Sequence, residues 1–188
     1  MLNTWHLTLA TRALREGGLV LHATEGVWGL ACDTFNAHGV NRLLELKGRS
    51  VSKGLIVIGA DAAVFAPELA LISADQASVV QASWPGPETW ILPNQRFPYW
   101  ITGEHSGVAV RVPGHPQARA LAGAFAGPLV STSANPSGLA PPTSMIRARG
   151  IFPAAVFPAV SDYILPGEVL KPGSPSRIRT LAGKAIRG

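Results

Sequence analysis

Cysteine, long apolar runs and recognisable metal spacings are all scarce in this sequence. A single cysteine, Cys32, stands among 188 residues, which excludes an intrachain disulfide and is typical of a reducing compartment. The five histidines are scattered, so no structural metal is expected. No apolar run reaches the ~18 residues that span a bilayer, and residues 1–18 lack the cationic start and cleavage site of a signal peptide. We expect a soluble, cytoplasmic protein with no membrane partner.

Charge is also scarce and unevenly placed. Only 14% of the residues are charged and 47% are hydrophobic, which excludes the disordered class of chains. Residues 1–146 hold nine Lys/Arg and nine Asp/Glu, whereas residues 147–188 hold seven and two, which is the whole net charge of +5. A basic tail beside a neutral body suggests a polyanionic ligand such as a nucleotide or RNA, and a solubilising surface explains it equally well.

The period of the apolar residues alternates along the chain between helix-like and strand-like. Strands interleaved with helices indicate an α/β or α+β protein, which we take to be one domain over residues 1–188. Because the strand at 107–112 closely follows the one at 89–93, we expect an antiparallel pair and a mixed sheet. Helices are predicted at 4–16, 36–47, 61–69, 73–83, 115–126 and 143–149, and strands at 19–23, 55–59, 89–93, 107–112, 128–133 and near 161 and 177.

The segment HATEGVWGLACD (22–33) is the first of three polar clusters at strand ends, where α/β sheets usually bind ligands. Thr24 follows a strand, and Gly26 and Gly29 allow tight turns, so hydroxyl and backbone N–H groups could face a small ligand. An ordinary β-turn with Trp28 covering the core is the alternative.

The second cluster, KGRSVSKG (47–54), packs three cations, two serines and two glycines into eight positions. Glycines let the backbone approach a ligand, while cations and hydroxyls bind phosphate oxygens. A helix carboxyl terminus complemented by Lys47 and Arg49 is the alternative, but it does not explain Lys53 before a buried strand. This loop is predicted to be a phosphate cradle.

The third cluster, LVSTSANPSG (129–138), ends a strand in neutral donors and acceptors that suit a nucleotide or an amino acid. A Ser/Thr-rich turn is the alternative. A serine-nucleophile interpretation fails because GxSxG is absent and no histidine is positioned by sequence to activate Ser133.

One cation interrupts an apolar strand. Arg111, in VAVRVPGHP, needs an anionic partner if it is buried, and either a ligand carboxylate or phosphate or an internal Asp or Glu would serve. Trp84 and His22 are predicted to be core residues, and His115 is predicted to start a helix.

Taken together, these segments resemble the YrdC family, in its short bacterial form. ATEGVWGLACD, LLELKGRSVSKGLIVI, WPGPET, VAVRVPGHP, STSANPSG and SPSRI occur in the family's order, over about Arg12 to Ile178. The KxR and SxN pair, here Lys47, Arg49, Ser133 and Asn135, is the most specific element. The resemblance implies a twisted, mixed α/β sheet with a concave basic face.

The resemblance also implies an activity. Family members are nucleotidyltransferases that condense L-threonine, bicarbonate or CO2, and ATP, with Mg2+ expected on the triphosphate, into threonylcarbamoyl-AMP and pyrophosphate. Threonylcarbamoyl-transferase proteins then modify tRNA beside the anticodon, and the basic face suggests contact with tRNA or other RNA. The implied roles are catalysis for Lys47 and Arg49, ATP and phosphate binding for Lys47, Arg49, Lys53, Ser131, Ser133 and Asn135, and threonine binding for Thr24, Arg111 and Ser176.

Four positions depart from the family pattern. Ala23 stands where proline is usual, Gly26 where a small hydroxyl or alanine is common, Trp28 where the family has Tyr or Phe, and Ser50 replaces the proline of KxRP. These changes bear on substrate fit more than on reaction class. Two rival functions remain, an RNA-binding module without chemistry and a carbamoyl-adenylating enzyme with another acceptor.

Overall fold

Helices and strands alternate along most of the chain. The computed structural model describes residues 3–152, 157–171, 173, 176–183 and 185–187. The helices are α1 (Thr4–Arg15), α2 (Ala37–Lys47), α3 (Ala66–Leu69), α4 (Ala74–Ala82), α5 (Tyr99–Thr102), α6 (Pro116–Phe125) and α7 (Met145–Gly150), with 3-10 turns at Val51–Lys53 and Ala62–Phe65. The strands are β1 (Val20–Ala23), β2 (Trp28–Asp33), β3 (Ile56–Ile58), β4 (Glu88–Pro93), β5 (Gly107–Arg111), β6 (Leu129–Ser133), β7 (Tyr163–Ile164), β8 (Arg177–Thr180) and β9 (Ala185–Arg187).

These strands form a mixed sheet in the order β7-β1-β2-β6-β3-β5-β4-β8-β9. The pairs β1–β7, β3–β5 and β4–β8 are parallel, and the other pairs are antiparallel. The predicted α/β class, the mixed sheet and the antiparallel pairing of 89–93 with 107–112 are confirmed. The organisation as one domain over residues 1–188 stays a prediction.

Alternate residues of the inner strands enter two hydrophobic clusters, one on each face of the sheet. Val57 and Val130 belong to the larger cluster, with α2 and α4, while Ile58 and Leu129 belong to the smaller cluster, with α1 and α6. The smaller cluster covers its face mainly over β1, β2 and β6. Part of that face, over β3, β5, β4 and β8, therefore remains open as a cleft.

Caps explain why several helices begin where the sequence predicts. Asn36 accepts a hydrogen bond from the Gly39 N–H at the start of α2, and Ser73 and Gln76 form a reciprocal capping box at α4. His115 caps α6, as predicted. None of the helices in the described ranges has the length and apolarity that crossing a bilayer requires.

The strand β2 was not predicted, and Gly29 lies inside it rather than in a turn. Five of the six β2 residues are buried, so the strand lacks the alternation that marks a half-buried strand. A Cβ at position 29 would come within 3.2 Å of the Thr132 carbonyl oxygen and 3.3 Å of His22 Nε2, so glycine permits close strand packing here. The sequence analysis also missed α5 and β9.

Candidate active site

The open part of the sheet face forms a cleft of about 770 Å3. Its floor is apolar, because Ile56, Ala109, Ile91 and Ile178 line it from four adjacent strands. Polar loops form its rim. All nine residues predicted for the site line this cleft: Thr24, Lys47, Arg49, Lys53, Arg111, Ser131, Ser133, Asn135 and Ser176.

Lys47 ends α2 and is only 3% exposed. Its ammonium donates hydrogen bonds to the carbonyl oxygens of Ser133 and, at 2.7 Å, of Asn135, while the Lys47 carbonyl accepts from the Ser137 N–H at 2.7 Å. Burial, and next the charge of Arg49, lowers the pKa of Lys47 to about 8. Lys47 therefore holds the loop after β6 in place as well as lining the cleft.

The loop from Gly48 to Gly54 carries Arg49 and Lys53, the other two cations that are predicted to bind phosphate. Gly48 has a left-handed backbone that ends α2, and the Arg49 guanidinium donates to the Gly54 carbonyl oxygen at 2.9 Å. Ser50, which replaces a usual proline, accepts a hydrogen bond from the Ser52 N–H at 3.2 Å and caps the 3-10 turn at Val51–Lys53. The Ser50 departure therefore leaves this loop with an internal hydrogen bond in place of a proline ring.

The carboxyl end of β6 supplies hydroxyl and amide groups. Ser131 lies 3.2 Å from His22 Nε2, and His22 Nδ1 lies 3.2 Å from the carbonyl oxygen of Ala23. Since a carbonyl only accepts, Nδ1 carries the proton and Ser131 donates to Nε2. The Ser131 hydroxyl thus presents its lone pairs to the cleft.

Asn135 is 9% exposed and donates its amide hydrogens to the carbonyl oxygens of Pro136 and Leu139, at 3.0 and 2.6 Å. Its Oδ1 atom is buried and has no hydrogen-bond partner within the described part of the chain. A buried acceptor without a partner is costly, so a donor on a bound ligand would be stabilising here.

Arg111 ends β5 and is 8% exposed. Its Nε donates to the Gly86 carbonyl oxygen at 3.0 Å, and its Nη2 forms an ion pair with Glu25. The internal carboxylate that the sequence left open as a partner is therefore present. Arg111 still lines the cleft, so the predicted clamp on a ligand carboxylate remains a prediction.

Thr24 and Ser176 also line the cleft. The Thr24 hydroxyl donates to the Val27 carbonyl oxygen at 2.7 Å, which closes the turn between β1 and β2. Ser176 accepts a hydrogen bond from the Thr89 hydroxyl at 3.0 Å. The Thr24 hydroxyl oxygen keeps acceptor capacity toward a ligand.

Two departures from the family pattern have a structural reading. The N–H of Ala23, which a proline would lack, donates to Gln117 Oε1 at 3.3 Å. Trp28 is fully buried in the larger cluster and does not line the cleft, so its size affects the core behind the site. Trp84 is also a core residue, as predicted, and its indole N–H donates to the Glu88 carbonyl oxygen at 2.9 Å.

Sequence reasoning missed five polar residues that line the cleft outside the third polar cluster, namely Glu25, Thr102, Glu104, His105 and Ser106. The only local signal was the position of Glu25 inside the first polar cluster. Four cations and two carboxylates line the cleft. Since Arg111 pairs with Glu25, the excess positive charge of the cleft lies at the loop that carries Lys47, Arg49 and Lys53. Within the described ranges, no group of three or more His, Cys, Asp or Glu is placed to hold a metal ion.

The basic tail is partly neutralised by one carboxylate. Arg177 and Arg179 of β8 both form ion pairs with Glu88 of β4, the second at 2.7 Å. From the sequence, these two arginines belong to the excess of positive charge in residues 147–188. Their pairing favours a role in holding β8 to β4 over a role in binding RNA.

Comparison with known proteins places the chain in the family that its motifs resemble. The Sua5/YciO/YrdC family model, described as "Telomere recombination", matches residues 12–187. The threonylcarbamoyl-AMP synthase of Halorhodospira halophila is 47% identical over 171 residues, which are 90% of this chain and 87% of the relative. The protein of that name from Pseudomonas fluorescens is 40% identical over 189 residues, or 100% of this chain and 99% of the relative.

A solved structure shares the fold closely. P. abyssi Sua5 in complex with L-threonine superposes with a TM-score of 0.85 at 31% identity, over 96% of this chain and 52% of that one. The present chain therefore spans about half of the length of that protein.

Proposed function

Because the chain belongs to the Sua5/YciO/YrdC family, we propose that its cleft is the active site of a threonylcarbamoyl-AMP synthase. The enzyme is a nucleotidyltransferase that converts L-threonine, bicarbonate or CO2, and ATP into threonylcarbamoyl-AMP and pyrophosphate. The observation that carries the assignment is that all nine residues expected for this chemistry, from five separate segments of the chain, line one cleft.

Charge placement separates the two substrates. β3 is parallel to β5, with Ile56 opposite Ala109 and Ile58 opposite Arg111. Lys53 precedes β3, so the phosphate-binding cations enter the cleft near the beginning of β3 and Arg111 enters at its end. We assign the triphosphate to Lys47, Arg49 and Lys53, and the threonine carboxylate to Arg111 with Thr24 and Ser176 beside it.

The reaction then proceeds in two steps. The amine nitrogen of threonine bonds to the carbon of CO2 and loses a proton, which gives a carbamate. A carbamate oxygen attacks the α-phosphorus of ATP, and the bond from that phosphorus to the bridging oxygen breaks to release pyrophosphate. Negative charge builds on the phosphate oxygens, where a single preorganised donor is typically worth ~3 kcal/mol of barrier. Mg2+ is proposed to enter on the triphosphate, whose oxygens are its preferred ligands.

Neutral donors and acceptors complete the nucleotide site. Ser131 and Asn135 Oδ1 offer acceptors to N–H or O–H groups of the nucleotide, and Ser133 lies at the end of the same strand. We assign no side chain as general base, and positioning of the two substrates carries the reaction.

The product is a reactive mixed anhydride, so the proposal includes threonylcarbamoyl-transferase proteins that consume it at tRNA. The ion pairs of Arg177 and Arg179 with Glu88 reduce the positive charge that the tail offers to RNA. The RNA-binding module without chemistry is the rival function, and the convergence of the site residues on one cleft disfavours it.

Pyrophosphate release tests the proposal. The purified protein is incubated with ATP and Mg2+, with L-threonine and bicarbonate added singly and together. Release that needs both additions, with threonylcarbamoyl-AMP detected by mass spectrometry, is the expected result. ATP binding without release under any of these conditions would exclude the synthase assignment for the isolated chain.

A further inference from the structure

Glu25 occupies a fixed position in the cleft that the proposed chemistry does not yet use. It lies in the loop between β1 and β2, and its side chain is 23% exposed. Two backbone hydrogen bonds anchor this loop. The Glu25 carbonyl oxygen accepts from the Lys171 N–H at 2.9 Å, and the Gly26 carbonyl oxygen accepts from the Gly173 N–H at 3.2 Å. Glu25, one of the residues that line the cleft, is therefore carried by an anchored turn.

The two oxygens of this carboxylate have different surroundings. Oε1 accepts from the Gly114 N–H at 2.6 Å and from the Arg111 guanidinium. Oε2 is buried and has no hydrogen-bond partner within the described part of the chain. A buried carboxylate oxygen is costly without a donor, so a ligand that supplies one gains affinity.

The geometry points to Glu25 as a specificity residue, whose Oε2 accepts a hydrogen bond from the β-hydroxyl of the amino acid that Arg111 holds by its carboxylate. This inference rests on the proposed function, and it concerns which amino acids the site accepts. Arg111 and Glu25 are ion-paired, so a ligand carboxylate on Arg111 lies within reach of the free carboxylate oxygen. Hydroxyl amino acids satisfy both groups, whereas their deoxy analogues leave Oε2 unpaired.

The amino group is a poorer partner for Oε2 than the hydroxyl. The threonine ammonium must be deprotonated to the amine before the nitrogen attacks CO2, and a carboxylate contact would stabilise the ammonium form instead. Burial raises the pKa of Glu25, but the charge and hydrogen bond of Arg111, the N–H of Glu25 itself and the Gly114 N–H outweigh it and lower the pKa below its ordinary value. Such a carboxylate stays ionised, and an ionised carboxylate accepts charge-assisted hydrogen bonds.

Calorimetric binding of L-threonine and L-2-aminobutyrate separates these roles, because the second ligand differs only by lacking the hydroxyl. Binding is measured with and without α,β-methylene-ATP for the full-length wild type, Glu25→Ala, Glu25→Gln and the control Glu16→Ala. Glu16 also pairs with an arginine, Arg12, but on the exposed surface of α1. The wild type and the control are expected to favour threonine by about 10- to 100-fold, and Glu25→Ala by less than about 3-fold.

The ratio of the two affinities decides the outcome. If Glu25 serves only to orient Arg111, Glu25→Ala weakens both ligands by the same factor, and the unchanged ratio overturns the inference. A wild-type ratio near one, or no binding of either amino acid in both conditions, also overturns it. Should Glu25→Ala fail to fold, Glu25→Gln carries the test, since Gly114 and Arg111 fix its amide oxygen at the Oε1 position and its NH2 group replaces the acceptor.

Glu25→Gln is expected to lower the ratio at least about threefold relative to the wild type. An unchanged ratio in this variant counts against the inference. Pyrophosphate release is scored separately, so selective threonine binding without release refutes the proposed function and leaves the specificity role standing.

Discussion

Replacing Lys47 should affect catalysis and stability with opposite dependence on pH. Its ammonium is buried beneath the loop that follows β6 and donates to two backbone carbonyl oxygens there. We propose Lys47→Met, which keeps the length of the apolar stem and removes the charge, and Lys47→Gln, which keeps N–H donors without the charge. The pair separates the hydrogen bonds to the loop from the positive charge at the phosphates.

The activity effect follows from the charge. Loss of one preorganised donor at the developing phosphate charge costs ~3 kcal/mol, so kcat/KM should fall by about two orders of magnitude in both variants. Since burial and Arg49 lower the pKa of Lys47 to about 8, wild-type kcat/KM should decline as pH rises through this value. Bound ATP favours the ammonium form, so kcat should hold to higher pH than kcat/KM.

The stability effect has the opposite sign. The unfolded chain keeps the lysine proton up to its ordinary pKa, whereas the folded protein releases it near pH 8. Between these values the unfolded state binds more protons, so the Lys47 contribution to the free energy of unfolding rises with pH. From pH 7 to pH 9 the wild type should gain about 1.4 kcal/mol relative to either variant.

Urea unfolding at pH 7 and pH 9 measures the second effect, and pyrophosphate release across the same range measures the first. The difference between wild type and variant removes the contribution of other titrating groups. A variant that keeps kcat/KM within about threefold of the wild type would show that Lys47 only holds the loop. A stability difference that stays constant between the two pH values would refute the buried ammonium.

Three further results are expected. Ser73→Ala removes one half of the capping box of α4, a helix with no residue in the cleft lining. The free energy of unfolding in urea should fall by about 1 kcal/mol while pyrophosphate release is unchanged. Burial lowers the pKa of His22 to about 4. As pH falls from 6.5 toward 4, the free energy of unfolding of the wild type should therefore decrease relative to that of His22→Phe, by at most about 1.4 kcal/mol per pH unit. The variant should also bind ATP more weakly, because the Ser131 hydroxyl loses its acceptor. Glu88→Gln releases Arg177 and Arg179 from their ion pairs, so retention on a heparin column should increase at low salt; equal retention would show that these arginines are not available to polyanions.

Local chemistry made several elements predictable and left others open. Asn36 and Ser73 mark the starts of α2 and α4 in the sequence, because a capping side chain accepts hydrogen bonds from unpaired backbone N–H groups within the next three residues. β2 gave no such sign, since a strand buried on both faces lacks alternation. Motif order placed the nine site residues in one family pattern, but it could not distinguish an internal partner for Arg111 from a ligand. That partner, Glu25, is 86 positions away in the chain and meets Arg111 only through the fold.

The short strand β3 sets the spacing between the two halves of the site. It has only three residues, Ile56–Ile58, held between β6 and β5 in the interior of the sheet. A strand rises by roughly 3.3 Å per residue, so the backbone at Gly54 and the backbone beside Arg111 are separated by roughly 13 Å along this direction. Because both neighbours of β3 are hydrogen-bonded to it, the sheet fixes the distance between the cationic loop and Arg111, as the proposed two-substrate site requires.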